Sequence, residues 1–351
     1  MAGTHGRVVR VIRIAIVGAG TMGTIHAQSC GNLPNATVTW VADEDEGRAT
    51  MLAQTCGARA TIDVDAALGA DDVDVAVVTV PTPFHRAITE RAAAHGKHVF
   101  CEKPIARTVA DARAMVAACE RAGVLLTVGH VVRFFPEYAR IRVLLAEDAV
   151  GTVGVVRAAR LNANPALARP WYGNRAWSGG VIVDLMIHDL DTLRWYFGEV
   201  ERVYARGLSD TGDRVTSDYA LAVLRFASGV IAHVEASWAH AHFRTSIEIA
   251  GSAGLLRHAS EESNALRVEH TAPQHEDVAR VQVPRSPLAE GPYQTELRHF
   301  LAAVEAGTPP LVTGDEAVRS LTLALAVLQS VETGRPVHAT DGVLQIAEGA
   351  A

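Results

Sequence analysis

The first third of the chain alternates two kinds of apolar pattern. VIRIAIV (11–17), ATVTWVA (36–42), VDVAVVTV (73–80), KHVFCE (97–102) and VLLTVG (124–129) are short runs rich in β-branched residues. Between them, apolar positions recur at helical spacing to about Gly31, and near 45–56, 84–95 and 108–121. An unbroken run such as VDVAVVTV fits a strand buried on both faces, as in a parallel sheet. The alternation predicts a doubly wound parallel sheet with helices on both faces.

The rhythm changes after about Arg133. A helix is expected over 136–147, a strand over 151–163 and a helix over 179–198. Then VERVYARG (200–207), DYALAVLRFA (218–227), GVIAHVEASW (229–238) and FRTSIEIAG (243–251) follow one another with no helix between. FASGV (226–230) reads as a hairpin turn. Such a succession implies a large open sheet, mostly antiparallel or mixed. Residues 261–285 are polar and weakly periodic, as in a loop, and 293–333 return to helical spacing. The expected fold class is α/β. One domain spans 1–133 and a second α/β domain spans 134–351, with the C-terminal helices able to pack back on the first.

Composition supports two domains. The chain has 351 residues, 49% of them hydrophobic and 20% charged, more than twice the ~150 residues of a typical domain. Net charge is −7, and no Lys/Arg block occurs, so neither a nucleic-acid footprint nor a polybasic membrane patch is expected. No run approaches the ~18–20 apolar residues of a membrane span. Near the N-terminus Arg13 interrupts the apolar stretch, so 11–17 reads as a first strand rather than a signal peptide. Cys30, Cys56, Cys101 and Cys119 include no CxxC pair. Reduced thiols and a cytoplasmic location are the expectation.

The first chemical signal is VIRIAIVGAGTMG. Gly18, Gly20 and Gly23 stand in GxGxxG spacing directly after a strand, and a helix opens behind them. This is the Rossmann fingerprint: a tight turn, close backbone approach to a pyrophosphate, and tight helix–strand packing. Free N–H groups at the helix start then meet the phosphates. Asp43 ends the second strand twenty residues beyond Gly23, placed to accept from ribose hydroxyls. Glu44, Asp45 and Glu46 follow it. A 2′-phosphate there would meet four carboxylates, so NAD is expected over NADP. Arg48 is read as a helix-surface residue.

Lys103, in CEKP (101–104), sits at the carboxyl end of a predicted parallel strand, where ligands bind in such sheets. An ammonium there can stabilise a developing alkoxide. Asp184 and His188 are i, i+4 on a predicted helix and share a face, and Asp191 continues that row. Histidine is a well-matched general base near neutral pH, and a carboxylate one turn away can orient the ring. The same pairs also occur as ordinary surface contacts. Asp184, His188 and Asp191 lack the further His or Cys that a metal site would need, so none is expected. Trp171, Tyr172, Arg175 and Trp177 form an aromatic loop that suits a sugar face or a core anchor. Arg133, at the domain junction, either reaches the site or staples the domains. His233, His240 and His242 read as packing or interface residues.

Together, GAGTMG, TVPTPFH (79–85), GKHVFCEKPIA (96–106), VGHVVRFFPEY (128–138), SGGVIVDLMIHDLDTLRWYFGEV (178–200) and the C-terminal 293–337 resemble the Gfo/Idh/MocA oxidoreductases over nearly the whole chain. The resemblance implies a Rossmann domain followed by an α/β domain whose open sheet packs in a homodimer or homotetramer. It implies oxidation or reduction of sugars, cyclitols and related polyols with a nicotinamide cofactor. Lys103, Asp184 and His188 then correspond to the catalytic set, with Asp184 as the partner of His188. The cofactor-binding residues would be Gly18, Gly20, Thr21, Met22, Gly23, Asp43, Val80, Pro81, Thr82, His85, Glu102 and Lys103. The substrate-binding residues would be Lys103, Arg133, Trp177, Asp184 and His188. Two alternatives stand beside this: an NAD-dependent glycosidase, which the same family includes, and a non-catalytic dinucleotide-binding protein. Ser178 departs from the three glycines common before the catalytic helix, which leaves the substrate open.

Overall fold

The structure is a computed structural model that describes residues 10–167, 169–208, 219–261, 267–270 and 290–346. The first sheet has six parallel strands: β1 (Ile12–Val17), β2 (Ala36–Ala42), β3 (Arg59–Thr61), β4 (Val75–Val78), β5 (His98–Cys101) and β6 (Leu126–Val128). Helices α1 (Thr21–Gly31), α2 (Glu46–Cys56), α3 (Val64–Leu68), α4 (His85–Ala94) and α5 (Val109–Ala122) fall between them. The strand order is β3-β2-β1-β4-β5-β6. It reverses between β1 and β4, the switch point where doubly wound sheets bind ligands. Every residue of β4 is buried, as its unbroken apolar run predicts. Asp45 caps α2 by accepting from the Arg48 N–H at 3.0 Å, a side-chain cap worth about 1 kcal/mol.

The chain continues through α6 (Pro136–Ala146), β7 (Val153–Ala163), α7 (Arg175–Ser178) and α8 (Ile187–Phe197). Strands β8 (Val200–Leu208), β9 (Tyr219–Phe226), β10 (Ile231–Ser237), β11 (Ala239–Gly251), β12 (Gly254–Ala259) and β13 (Arg267–His270) come next. Then come α9 (Pro292–Ala306), α10 (Gly314–Thr333), β14 (Val337–Thr340) and β15 (Val343–Leu344). The second sheet has nine strands in the order β13-β12-β11-β7-β10-β9-β8-β14-β15. Only β7 and β10 pair in parallel; the other pairs are antiparallel. Burial in β9 alternates strictly, with Ala220, Ala222, Leu224 and Phe226 inward. One covered face and one open face produce that pattern.

Two compact units result. The first gathers described residues within 10–102, 113–129 and 293–314; the second gathers those within 103–112, 130–292 and 315–346. In the first, Ile12, Ile14, Ile16, Val75, Val77 and Phe100 pack with Leu297, Phe300 and Leu301 of α9. Each such side chain contributes roughly 1.5–3 kcal/mol when buried, which is why α9 completes the sheet that opens the chain.

Two local expectations need correction. The helix expected over 179–198 is interrupted: α7 ends at Ser178, a π-helical turn spans Ile182–Met186, and α8 starts at Ile187. The loop expected over 261–285 contains β13, and most of its remaining residues lie outside the described ones. The helical spacing expected over 293–333 is realised as two helices, α9 and α10. Strands β3, β14 and β15 and helix α3 have two to five residues each, too few for a hydrophobic period to stand out.

Candidate active site

In the first unit the glycine-rich turn is shaped as its spacing predicts. Gly18 has φ +105°, and a Cβ there would lie 2.7 Å from the Thr79 carbonyl carbon. A Cβ on Gly23 would collide with the Gly18 carbonyl oxygen. Thr79, which the sequence reading passed over, donates its hydroxyl to Gly18 O at 2.7 Å and to Val17 O at 3.1 Å. That ties the end of β4 to the turn. Gly20 caps α1 without any side-chain acceptor, and a Cβ added to it would meet nothing within 4 Å. Thr21 and Gly20 are exposed, Met22 half-buried and Gly23 buried. The start of α1 thus carries no capping side chain and has open space beside Gly20, and a pyrophosphate fits that cradle.

Asp43 sits one residue past β2 at 9% exposure. Its Oδ2 accepts from the Ala19 N–H at 2.7 Å. Its Oδ1 accepts from the Asp45 N–H at 2.9 Å and from Arg48 at 2.8 and 3.2 Å. Burial raises its pKa, but Arg48, Asp45 and Ala19 together hold the carboxyl below the ordinary aspartate value. The reading of Arg48 as a plain helix-surface arginine is therefore corrected. Its guanidinium is bonded to the carboxylate expected to meet the ribose, with Glu44 and Asp45 at 3.9 and 3.8 Å.

The loop after β4 carries Val80, Pro81, Thr82 and His85. Thr82 and His85 are buried. His85 Nε2 donates to Val80 O at 2.9 Å, so the ring fixes the loop from within. Glu102, one residue past β5, lies 2.7 Å from His26 Nε2. His26 lies in a helix that reads only as packing from its sequence, and nothing local signals the contact.

In the second unit Lys103 and Asp184 meet. Lys103 Nζ donates to Asp184 Oδ1 at 3.0 Å and to Asp184 O at 2.8 Å, both side chains being mostly buried. His188 is one turn further on, and its Nδ1 is buried with no hydrogen-bond partner. The expectation that Asp184 partners His188 is corrected, since the carboxylate is engaged by Lys103. The two residues share a helical face, but the Lys103 ammonium, 81 residues away in sequence, takes the carboxylate. His188 has its pKa held well below the usual imidazole value, first by burial and then by the charges of Lys103 and Arg160 and by His130.

The turn before Asp184 is equally constrained. Gly179 has φ +77°, and a Cβ there would lie 2.5 Å from Val183 Cβ. Ser178 is buried. It donates to Tyr172 O at 2.9 Å and Asn174 O at 3.2 Å and accepts from the Gly180 N–H at 3.1 Å. Its hydroxyl thus holds the aromatic loop. There Trp171 stacks on Tyr172 at 3.9 Å, and Tyr172 meets Trp238 edge-on at 6.3 Å. Trp177, expected to bind substrate, is half-buried in α7.

Arg133 was also expected at the substrate and is not free for it. Its side chain is 1% exposed, donating to Asp191 at 2.8 and 2.7 Å and to Glu316 at 3.1 Å. Asp191 in turn accepts from Ser320 at 2.8 Å. It does not continue a catalytic row. A second buried pair, Arg160–Asp189, is bidentate at 2.9 Å. Both pairs join residues that are distant in sequence, and neither is visible in the sequence pattern.

Comparison with known proteins gives these features a context. The family model described as "Oxidoreductase family, NAD-binding Rossmann fold" matches residues 12–130, and the "GFO/IDH/MocA C-terminal domain" model matches 138–257. D-Apiose dehydrogenase from Paraburkholderia graminis is 30% identical over 94% of this chain and 90% of its own length. 1,5-Anhydro-D-fructose reductase from Ensifer adhaerens is 31% identical over 80% of this chain and 84% of its own. The crystal structure of GenD2 from gentamicin A biosynthesis in complex with NAD superposes with a TM-score of 0.83 at 29% identity, covering 97% of this chain and 99% of that one. Glycine turn, switch point, second sheet and matched segments agree: the chain belongs to the Gfo/Idh/MocA family of oxidoreductases, and its first unit has that family's NAD-binding Rossmann fold.

Proposed function

We propose that the protein is an NAD-dependent dehydrogenase of a secondary alcohol on a sugar, cyclitol or sugar derivative. The observation that carries this reading is the Lys103–Asp184 contact beside a histidine kept neutral by its surroundings. Bound NAD supplies the acceptor for the hydrogen and electron pair that leave the carbon. The chain's residues handle the hydroxyl. His188 accepts its proton, and Lys103 donates to the oxygen as negative charge develops. Asp184 aims the ammonium. Written out, the alcohol and the oxidised cofactor give the ketone, the reduced cofactor and one proton. The named relatives, a D-apiose dehydrogenase and a 1,5-anhydro-D-fructose reductase, support the substrate class. Steady-state absorbance of NADH with a panel of inositols, aldoses and nucleotide sugars tests it. Sustained NADH supports the reading. Glycoside cleavage without net NADH would favour the glycosidase, and binding without turnover the non-catalytic alternative.

The environment of His188 sets the pH dependence. The base must be neutral to accept a proton, and its pKa is lowered. Activity should therefore persist below the ~6.5 of an unperturbed histidine. The kcat/KM for oxidation, which reports the free enzyme, is expected to be flat from pH 8 down through 6.5 and to fall only at more acid pH. An acid limb centred at or above the ordinary imidazole value would count against His188.

Asp43 and Arg48 support NAD over NADP. Replacing Asp43 by serine removes the carboxylate and releases Arg48. The expected result is at least a tenfold fall in KM for NADP and a rise in KM for NAD, read in parallel titrations.

The open face of the second sheet supports self-association. Val155, Tyr204, Leu221, Val223 and Ile231 are 37–41% exposed there, and Tyr204, Val223 and Ile231 line a depression of about 340 Å³ together with Arg202, Arg225 and Pro336. A contiguous apolar surface of this kind marks an interface, and a second copy of the chain is the proposed occupant. Among the described residues no helix is long and apolar enough to cross a membrane.

A further inference from the structure

The chemistry proposed above leaves one buried contact in the first unit unused. His26 is 1% exposed on α1, and its Nε2 stands 2.7 Å from Glu102 Oε1. Its Nδ1 is buried with no hydrogen-bond partner. A ring with its hydrogen on Nε2 satisfies the carboxylate and leaves no buried donor unpaired. The ring meets Phe100 edge-on at 4.8 Å and Tyr293 at 6.2 Å, so aromatic packing fixes its orientation. Glu102 is 7% exposed. A Cβ on Gly129 would stand 3.2 Å from its Oε1, so a glycine leaves room for the carboxylate on its other side.

The position of this pair gives it a task. Asp43 follows β2 and Glu102 follows β5, on opposite sides of the switch point between β1 and β4. A dinucleotide with its pyrophosphate at α1 and its adenosine ribose at Asp43 runs its other nucleoside toward the ends of β4 and β5. The oxidised nicotinamide ring carries a positive charge and the reduced ring carries none. A carboxylate held out of bulk water attracts the first and is indifferent to the second.

We propose that His26 is a positioning residue that holds the Glu102 carboxylate beside the nicotinamide half, and that this pair tilts affinity toward the oxidised cofactor. Without the imidazole the carboxylate loses the 2.7 Å contact that fixes its place, and the attraction weakens with distance. In the direction of alcohol oxidation the pair then favours binding of the oxidised form and eases release of the reduced one.

The test is a pair of binding measurements on the full chain without substrate: NAD+ by calorimetry and NADH by fluorescence. Glu102→Gln should weaken NAD+ about tenfold and change NADH less than twofold. A tenfold change in that ratio moves the two-electron potential of the bound cofactor by about 30 mV. His26→Leu should reproduce the Glu102→Gln result. His26→Gln, whose amide can still donate toward Glu102, should stay near wild type. Equal weakening of both forms in His26→Leu would show a merely structural role and overturn the proposal. So would an unchanged ratio in Glu102→Gln, a near-isosteric variant that decides the matter even if His26→Leu fails to fold. Wild-type protein that binds neither form would overturn the nucleotide reading itself, a result distinct from either.

Discussion

Replacing His188 by asparagine is expected to lower kcat for alcohol oxidation by about 10²–10⁴-fold, the usual contribution of a positioned general base. NAD+ affinity should stay within a few-fold of wild type, because the glycine turn and Asp43 that would hold the dinucleotide are left intact. Lys103→Met should cost a similar factor for another reason: the developing alkoxide loses its cationic donor. The two variants separate in their pH profiles. Lys103 helps to depress the His188 pKa, so its removal should move the acid limb of kcat/KM to higher pH. Asp184→Asn should give a smaller loss, since Asp184 acts by aiming Lys103 through the 3.0 Å contact. Stopped-flow single turnovers isolate the chemical step. Near-unchanged single-turnover rates in both His188→Asn and Lys103→Met would remove them from the mechanism.

The parts of this molecule that were legible in the sequence are those whose physics is local. Strands β1, β4 and β5 announce themselves because both their faces are buried. The dinucleotide turn shows because only glycine tolerates Gly18 at φ +105° and the close approach at Gly23. Lys103, Asp184 and His188 were placed by motif. Yet the link among them was misread, because i, i+4 spacing reports a shared face but not the lysine 81 residues away that takes the Asp184 carboxylate. Arg133 was misassigned for a different reason. Its partners Asp191 and Glu316 lie 58 and 183 residues away in sequence, and no periodicity reports such a pairing. His26 and Arg160 were passed over on the same ground, since their carboxylates are 76 and 29 residues distant. Arg48 was near enough to read. Five residues separate it from Asp43, but the link runs from a strand end to a helix, where helix-spacing rules do not apply.

The Arg133–Asp191 pair should dominate the stability of the second unit. Asp191 is 0% exposed, and its pKa is pulled down to about 2: burial opposes the shift, and His130, Arg133 and Ser320 outweigh it. Asp191→Asn breaks the buried bidentate pair and leaves the Arg133 guanidinium only its 3.1 Å contact with the partly exposed Glu316, a loss of about 3–5 kcal/mol for a broken buried pair. Urea unfolding at pH 7 should show that loss as a lower midpoint at unchanged slope. Arg133→Met should cost a comparable amount by stranding the carboxylate. The double variant Arg133→Met/Asp191→Leu should be less destabilised than either single one, because no unpaired charge remains. Additive losses in that cycle would mean that packing, not charge pairing, holds these residues. The pH dependence carries two separate signs. A carboxylate with a depressed pKa contributes stability above its unfolded value of 3.8 that disappears as pH falls toward about 2. His130 and His188 also have lowered values, but as bases they act at higher pH. The unfolded chain takes up their protons first, so stability should already decline as pH drops through about 6.5. A wild-type melt followed from pH 8 to 2 should show both steps, and Asp191→Asn should shrink the lower one, which Asp74 and Asp43 share, while keeping the upper.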